Sequence, residues 1–447
     1  MKRQGTDTLD RRILALALPA LGALAADPLV SLVDTLFVGR LGTVPLAALG
    51  VNASVFAMAF VVFNFLAYGT TPLVARAVGG GEHEDARNIS VQALTLAVLI
   101  GVGALAALEL AAGPILRVMG AEGELFSPAR TYLRIRALAG PAVLLILASH
   151  GIFRGYQDTR TPLRVTLWLN VVNLVLDPLL IYGLGWGLAG AAWATAIAQW
   201  SGAVWFLGKL GRQAPASPSR PARPRIALDL KRFRRPQFGK FMAIGGALAV
   251  RTFALIGALT LATAVATRIS TVSVAAHQVG SQLWLLFALM IDSLAVAAQA
   301  LVARYRGEGD PGAARMASNR LLIWGLFTGT ALSGLLWLLA PFLPHLFTDE
   351  PEVIGAVTEI MPFIVWMQPL NALVFVWDGI FIGSEDFRFL AAQMLASSLV
   401  AAGALLLVAG QGWDLVAVWW ALVLLMAVRA GTLAARYFGL PGNHLTT

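Results

Sequence analysis

Apolar runs long enough to cross a hydrocarbon layer, about 20 residues each, recur along this chain from near its start almost to its end. They fall near residues 13–38, 47–75, 90–113, 130–153, 163–183 and 187–208, and again near 238–265, 272–303, 319–343, 353–382, 389–410 and 413–436. A chain patterned this way must satisfy its backbone groups within helices, because lipid offers them no partners. Charged residues make up 13% of the 447 residues and hydrophobic ones 58%, whereas a soluble domain carries about 25% charge. The expected fold class is therefore an all-α integral membrane protein with twelve transmembrane helices in two six-helix lobes. The first run follows Arg11 and Arg12, lacks a small-residue cleavage site and reads as a retained helix rather than a signal peptide. With no cysteine, disulfides and thiolate metal sites are excluded.

The lobes are expected at 1–208 and 238–447, joined by a basic cytoplasmic linker at 209–237. Residues 209–240 hold ten Lys or Arg against the single acid Asp229, with RQAPASPSRPARPR and KRFRR as their most biased pieces. Such a segment suits an irregular linker near anionic headgroups and a short amphipathic lead into the seventh helix, so no nucleic-acid partner is expected. Basic residues follow the even-numbered runs, among them Arg87, Arg160, Arg315 and Arg388, whereas the opposite loops near Gly185, Glu352 and Gly412 have none. The positive-inside rule then places both termini in the cytoplasm of a plasma (inner) membrane protein.

A constant offset of 228 residues relates the halves. Leu73-Val74-Ala75-Arg76 matches Leu301-Val302-Ala303-Arg304, Pro141 matches Pro369, and Gly151, Ile152, Phe153, Gly155, Asp158 and Arg160 match Gly379, Ile380, Phe381, Gly383, Asp386 and Arg388. Six helices is an even number, so both halves share one membrane orientation and form a parallel pseudo-two-fold repeat of the kind found in alternating-access transporters.

Ionisable residues inside the runs narrow the reading, since each costs about 2.5–3.5 kcal/mol at a membrane helix centre. The segment PLVSLVDTLFVGRLG (28–42) lies in a first run that carries Asp27 and Asp34, seven residues apart and so on one helix face. Pro28 removes a backbone hydrogen bond beside Asp27, and a kink is expected there. Asn173 and Asp177, in NVVNLVLDP, are i and i+4; an amide beside a carboxylate can bind a small hard cation or hold a protonated acid. The structural alternative is that these acids bond to backbone freed by the prolines at 28 and 178.

The pieces LPALGALAADPLVSLVDTLFVGRLG, the glycine-rich turn after the second helix, GYQDTRTPL, and AAHQVGSQLWLLFALMIDSLAVAAQALVARYRGEGD together resemble the multidrug and toxic compound extrusion (MATE) transporters, most closely their DinF-like branch, over essentially the whole chain. The resemblance implies a MATE-like fold, V-shaped alternating access, and antiport of organic, mostly cationic compounds against inward protons or sodium. It implies a cation-coupling site at Asp34, Asn173, Asp177 and Thr195. Asp27 has no counterpart in the motif and reads either as a cavity residue or as a cap on the Pro28 kink. A glutamate that sodium-coupled members carry in the seventh helix is missing here, which favours H+ as the coupling ion, with Na+ at the same four residues as the alternative.

In the second lobe Arg251 needs a buried partner, and Asp292 is the expected one. Asp292, Asp378, Trp284 and Arg251 are the candidate substrate-cavity residues of that lobe, with Trp366 as a further aromatic. His150 and His277 read as satisfied structural residues, and Arg134, Arg136 and Arg429 as snorkelling side chains. Gly185, Gly187 and Gly190 spell G-x-G-x-x-G without a preceding strand, so no dinucleotide site is expected. No cofactor is expected, the chain is not read as an enzyme, and the expected partners are small organic molecules and the bilayer around a monomer. A lipid-linked saccharide flippase of the same superfamily remains a rival. It calls for a cationic cavity, whereas the mid-helix charges here are mainly acidic.

Overall fold

In a computed structural model, residues 2–215, 221–227 and 235–439 are described. The first half comprises α1 (Lys2–Gly39), α2 (Thr43–Val61), α3 (Phe65–Gly79), α4 (His83–Val118), α5 (Phe126–Ala137), α6 (Gly140–Gly155), α7 (Arg160–Pro178) and α8 (Gly187–Leu210). The second comprises α9 (Arg235–Ile269), α10 (Thr271–Gly307), α11 (Pro311–Leu339), α12 (Pro351–Trp366), α13 (Gln368–Gly383), α14 (Phe387–Gln411) and α15 (Leu415–Gly439). A single 3-10 turn joins α2 to α3, so these two make one pass. Eight such segments are long and apolar enough to cross a membrane. The pairs α5–α6 and α12–α13, bent by 46° and 49°, make ten if each is one span; α1 and α8, of 38 and 24 residues, are the helices at the two remaining apolar runs. The bends have a common cause: Pro141 and Pro369 sit in the first turns of α6 and α13, where each ring lacks the N–H that would continue the hydrogen-bond ladder of the preceding helix. By contrast α1 runs unbroken through Pro19 and Pro28.

The 228-residue offset extends from sequence to packing. The limits Thr43 to Gly79 become Thr271 to Gly307, and Gly140–Gly155 becomes Gln368–Gly383. A methyl group added at Gly151 would meet the Ala67 carbonyl at 2.9 Å, and one at Gly379 would meet the Ala295 carbonyl at 2.6 Å. Gly101 faces Pro141 as Gly329 faces Pro369, and Gly155 faces Val74 as Gly383 faces Val302. Small residues let helices approach closely in a bilayer, where no hydrophobic force drives them together. The turns repeat too, with Gln157 (φ 58°) and Glu385 (φ 62°) both in the left-handed region.

The chain divides into two compact units, residues 18–245 and residues 1–17 with 246–447. The limits read from the sequence follow covalent order, whereas these fall inside α1 and α9. The start of α1 is fixed within the second unit: Arg320 donates to both Asp10 oxygens at 2.6 Å, and the Trp324 ring N–H donates at 2.8 Å. In the first unit the linker turns back on α8, with Ala214 and Arg223 exchanging two backbone hydrogen bonds. The Arg223 guanidinium donates to the carbonyls of Lys209 and Leu210, groups that the end of a helix leaves without partners. The lead expected before the seventh helix, at 228–234, lies outside the described residues.

Two outcomes test these contacts. Gly379→Ala drives a methyl into backbone and should cost about 1–3 kcal/mol, whereas Gly403→Ala, with open space around it, should be neutral in thermal unfolding of the detergent-solubilised protein. Asp10 lies ahead of the apolar run, and its carboxyl is held below the ordinary range chiefly by the Arg320 hydrogen bond. A depressed carboxylate stabilises above its unfolded pKa of about 3.9 and loses that contribution as pH falls through the lower folded value. The destabilisation caused by Asp10→Asn should therefore be full at pH 7 and shrink below about pH 4.

Candidate functional site

Five helices of the unit 18–245 line a cavity of about 390 Å³, α2 contributing its apolar wall through Leu46, Leu49, Gly50, Ala53 and Phe56. From α1 come Ser31, Asp34 and Thr35; from α5, Tyr132 and Arg136; from α7, Asn170 and Asn173; from α8, Thr195 and Gln199. Helical periodicity explains the grouping, because Ser31 and Asp34, Tyr132 and Arg136, and Thr195 and Gln199 are each three or four residues apart and share a face. Asn173 Nδ2 donates to Thr195 Oγ1 at 3.4 Å, and that hydroxyl donates in turn to the Ala191 carbonyl at 2.9 Å. Asp177 lies beneath, fully buried. Its carboxyl and that of Asp34 are within hydrogen-bonding reach of each other. Neither Asp177 oxygen has a donor among the described residues, nor does Asp34 Oδ1.

The four residues expected as a cation-coupling set thus meet in one place. The structural alternative for Asp177, bonding to backbone freed by Pro178, does not hold, since neither of its oxygens receives a backbone N–H. The backbone beyond Pro178 finds its own partners in a π turn, Leu179–Gly183, where the Leu184 N–H donates to the Leu179 carbonyl. Asp27 lies in α1, and its side chain falls outside the described residues.

Sequence reading missed the basic and phenolic members of this cavity. Arg136 is half-buried and lies 5.1 Å over the Phe56 ring, rather than snorkelling to a surface. Its i, i+4 spacing from Tyr132 was the available signal. In the run RTYLRIRALAG, however, three arginines compete for the inward position, and only packing decides among them.

The unit built from 246–447 treats its buried acid differently. Asp378 Oδ2 accepts from Arg251 on α9 and from Arg429 on α15, each at 2.6 Å. Arg429 is 1% exposed, which corrects its reading as a snorkelling residue: α15 places it well inside the apolar run, where a guanidinium requires a partner. Asp378 is thus a partner of Arg251 that sequence reading did not name; Asp292 lies on α10. Trp284 buries its ring nitrogen without a partner among the described residues, whereas Trp366 is 70% exposed. His277 is buried edge-on against Trp419, and His150 packs on Phe206. Among the described residues no three His, Cys, Asp or Glu come together as a metal site.

The MatE family model matches residues 19–179 and 247–404, one block in each half. The chain is 36% identical to the chloroplastic Protein DETOXIFICATION 44 of Arabidopsis thaliana, covering 95% of this chain and 81% of that protein. It is 30% identical to DNA damage-inducible protein F of Escherichia coli K12 over 95% of this chain and 91% of that one. Its fold superposes on the outward-facing conformation of a multidrug resistance MATE family transporter with a TM-score of 0.86, at 21% identity and 96% coverage of both chains.

Removing the acid of the Asp378 cluster leaves two buried guanidiniums without their shared partner, which costs about 3–5 kcal/mol. Asp378→Ala should therefore lower the thermal stability of the solubilised protein strongly. Asp34→Asn, which keeps a group able to hydrogen-bond Asp177 and removes one of two like charges, should leave it near the wild-type value.

Proposed function

The chain belongs to the MatE family of multidrug and toxic compound transporters, and on that premise we propose that it is a secondary antiporter exporting organic cations in exchange for inward protons by alternating access. The observation that carries this reading is the pair of neighbouring carboxyls, Asp34 lining the cavity and Asp177 buried beside it, with no donor among the described residues to Asp34 Oδ1 or to either Asp177 oxygen. Two unit charges 4 Å apart repel by about 4 kcal/mol at an effective dielectric constant of 20. A shared proton removes that repulsion and gives one oxygen a donor.

Charge counting gives the exchange its logic. With both acids ionised, Arg136 leaves the cavity at one net negative charge, which suits a monovalent organic cation. With one proton on the pair the cavity is neutral and the cation is released. Proton and substrate thus compete for the same charge deficit. Asn173 and Thr195 orient the site through their mutual hydrogen bond, while the aromatic wall of Phe56 and Tyr132 suits apolar and π-bearing substrates. Each pH unit across the membrane supplies about 1.36 kcal/mol per proton, and each 100 mV about 2.3 kcal/mol per charge. The bias of basic residues supports an orientation with both termini cytoplasmic, and the scheme takes the transporter as a monomer in a plasma (inner) membrane. The same donor set could take Na+, and the coupling experiment decides between the ions.

Efflux of a fluorescent organic cation from proteoliposomes should follow a pH gradient imposed alone and not a sodium gradient. Asp34→Asn and Asp177→Asn should each abolish it. Transport driven by sodium alone would replace the proton in this scheme. Arg136→Ala should tighten cation binding at acidic pH, because the singly protonated cavity then keeps one negative charge; unchanged binding would remove Arg136 from the count.

A further inference from the structure

Helix α5 has a second polar face, turned away from the cavity. Ser127, Arg130, Thr131 and Arg134 share it at i, i+3, i+4 and i+7, whereas Tyr132 and Arg136 lie roughly 120–160° around the helix from Arg130 and Arg134, at about 100° per residue. Together with Glu109 of α4 these four residues line an open groove of about 640 Å³, with Leu105 and Ile135 as its apolar part. Both helices belong to segments apolar enough to cross a membrane, and the neighbouring Leu110 is 86% exposed, so the groove opens on the lipid-facing surface. Charge on such a surface is costly and calls for a partner. Arg134 Nε meets Glu109 Oε2 at 2.6 Å, which neutralises one guanidinium. Arg130 has no carboxylate partner among the described residues, and Glu122 and Glu124 of the adjoining turn do not line the groove.

We propose that this groove is a lipid site that binds the phosphate of an anionic phospholipid. Arg130 is its principal ligand and Arg134 the second, Ser127 and Thr131 supply hydroxyl donors, and the acyl chains run along Leu105 and Ile135. Guanidinium–phosphate hydrogen bonds are charge-assisted and short, and basic pockets between membrane helices hold lipid headgroups in this manner. The local excess of one positive charge matches a monoanionic phosphodiester whose headgroup carries no cation. Because α5 also carries Tyr132 and Arg136, the lipid sits against the back of the helix that forms one wall of the cavity.

The test is native mass spectrometry of the full-length, delipidated protein titrated with phosphatidylglycerol, phosphatidylcholine or inorganic phosphate, with thermal unfolding as a check on folding. Wild type should retain one phosphatidylglycerol in preference to phosphatidylcholine, and Arg130→Ala should weaken that retention by about tenfold or more. Glu109→Gln should strengthen it, because the carboxylate that competes for Arg134 is gone; weaker retention would mark the Arg134–Glu109 pair as purely structural and overturn the proposal. Undiminished retention by an Arg130→Ala, Arg134→Ala double variant, equal retention of phosphatidylcholine, or displacement by an equal concentration of inorganic phosphate would overturn it as well.

Discussion

A carboxyl group buried among membrane helices must have a cation, a donor or a proton, because nothing in the surrounding hydrocarbon supplies one. The two units of this chain meet that requirement in opposite ways. In residues 246–447 Asp378 is ion-paired through Oδ2 with two guanidiniums, and an acid held between two cations is a fixed structural element. In residues 18–245 neither oxygen of Asp177, nor Asp34 Oδ1, has a donor among the described residues, and an acid without a cation can exchange protons and cations. The repeat that gave both units the same helices did not give them the same chemistry.

The contrast is visible at matched positions. His150 stands where the repeat has Asp378, and it packs against Phe206 instead of entering an ion pair. Close-packed glycines recur at Gly101, Gly151 and Gly155 and at Gly329, Gly379 and Gly383, so backbone approach is preserved while side-chain charge diverges. The scaffold is held by small residues that let helices touch, leaving the polar residues free to differ.

Helix α5 connects several of these features. Its end at Ala137 and the bend before Pro141 set the direction from which it enters the unit. One of its faces carries Tyr132 and Arg136 to the acid cavity, and another carries Arg130 and Arg134 to the lipid-facing groove. Four turns at most separate chemistry addressed to a solute from chemistry addressed to the bilayer.

Much was legible in the amino-acid order itself. Membrane class, the twelve apolar runs, the 228-residue repeat and the grouping of Asp34 with Asn173, Asp177 and Thr195 rest on hydropathy, periodicity and motif, which are local or translational properties of a sequence. Three things were settled only by tertiary structure. The i, i+4 rule places Arg136 with Tyr132, yet not on the cavity side, because the rotation of α5 about its axis is set by packing against α4, α2 and α8. Arg251 acquired Asp378 as a partner, and Arg429 joined them, because α9, α13 and α15 converge from distant parts of the chain. The compact units exchange the starts of α1 and α9, a choice made by contacts such as Asp10 with Arg320 that join residues 310 positions apart. Periodicity tells which residues share a face; only the packed helices decide what that face meets.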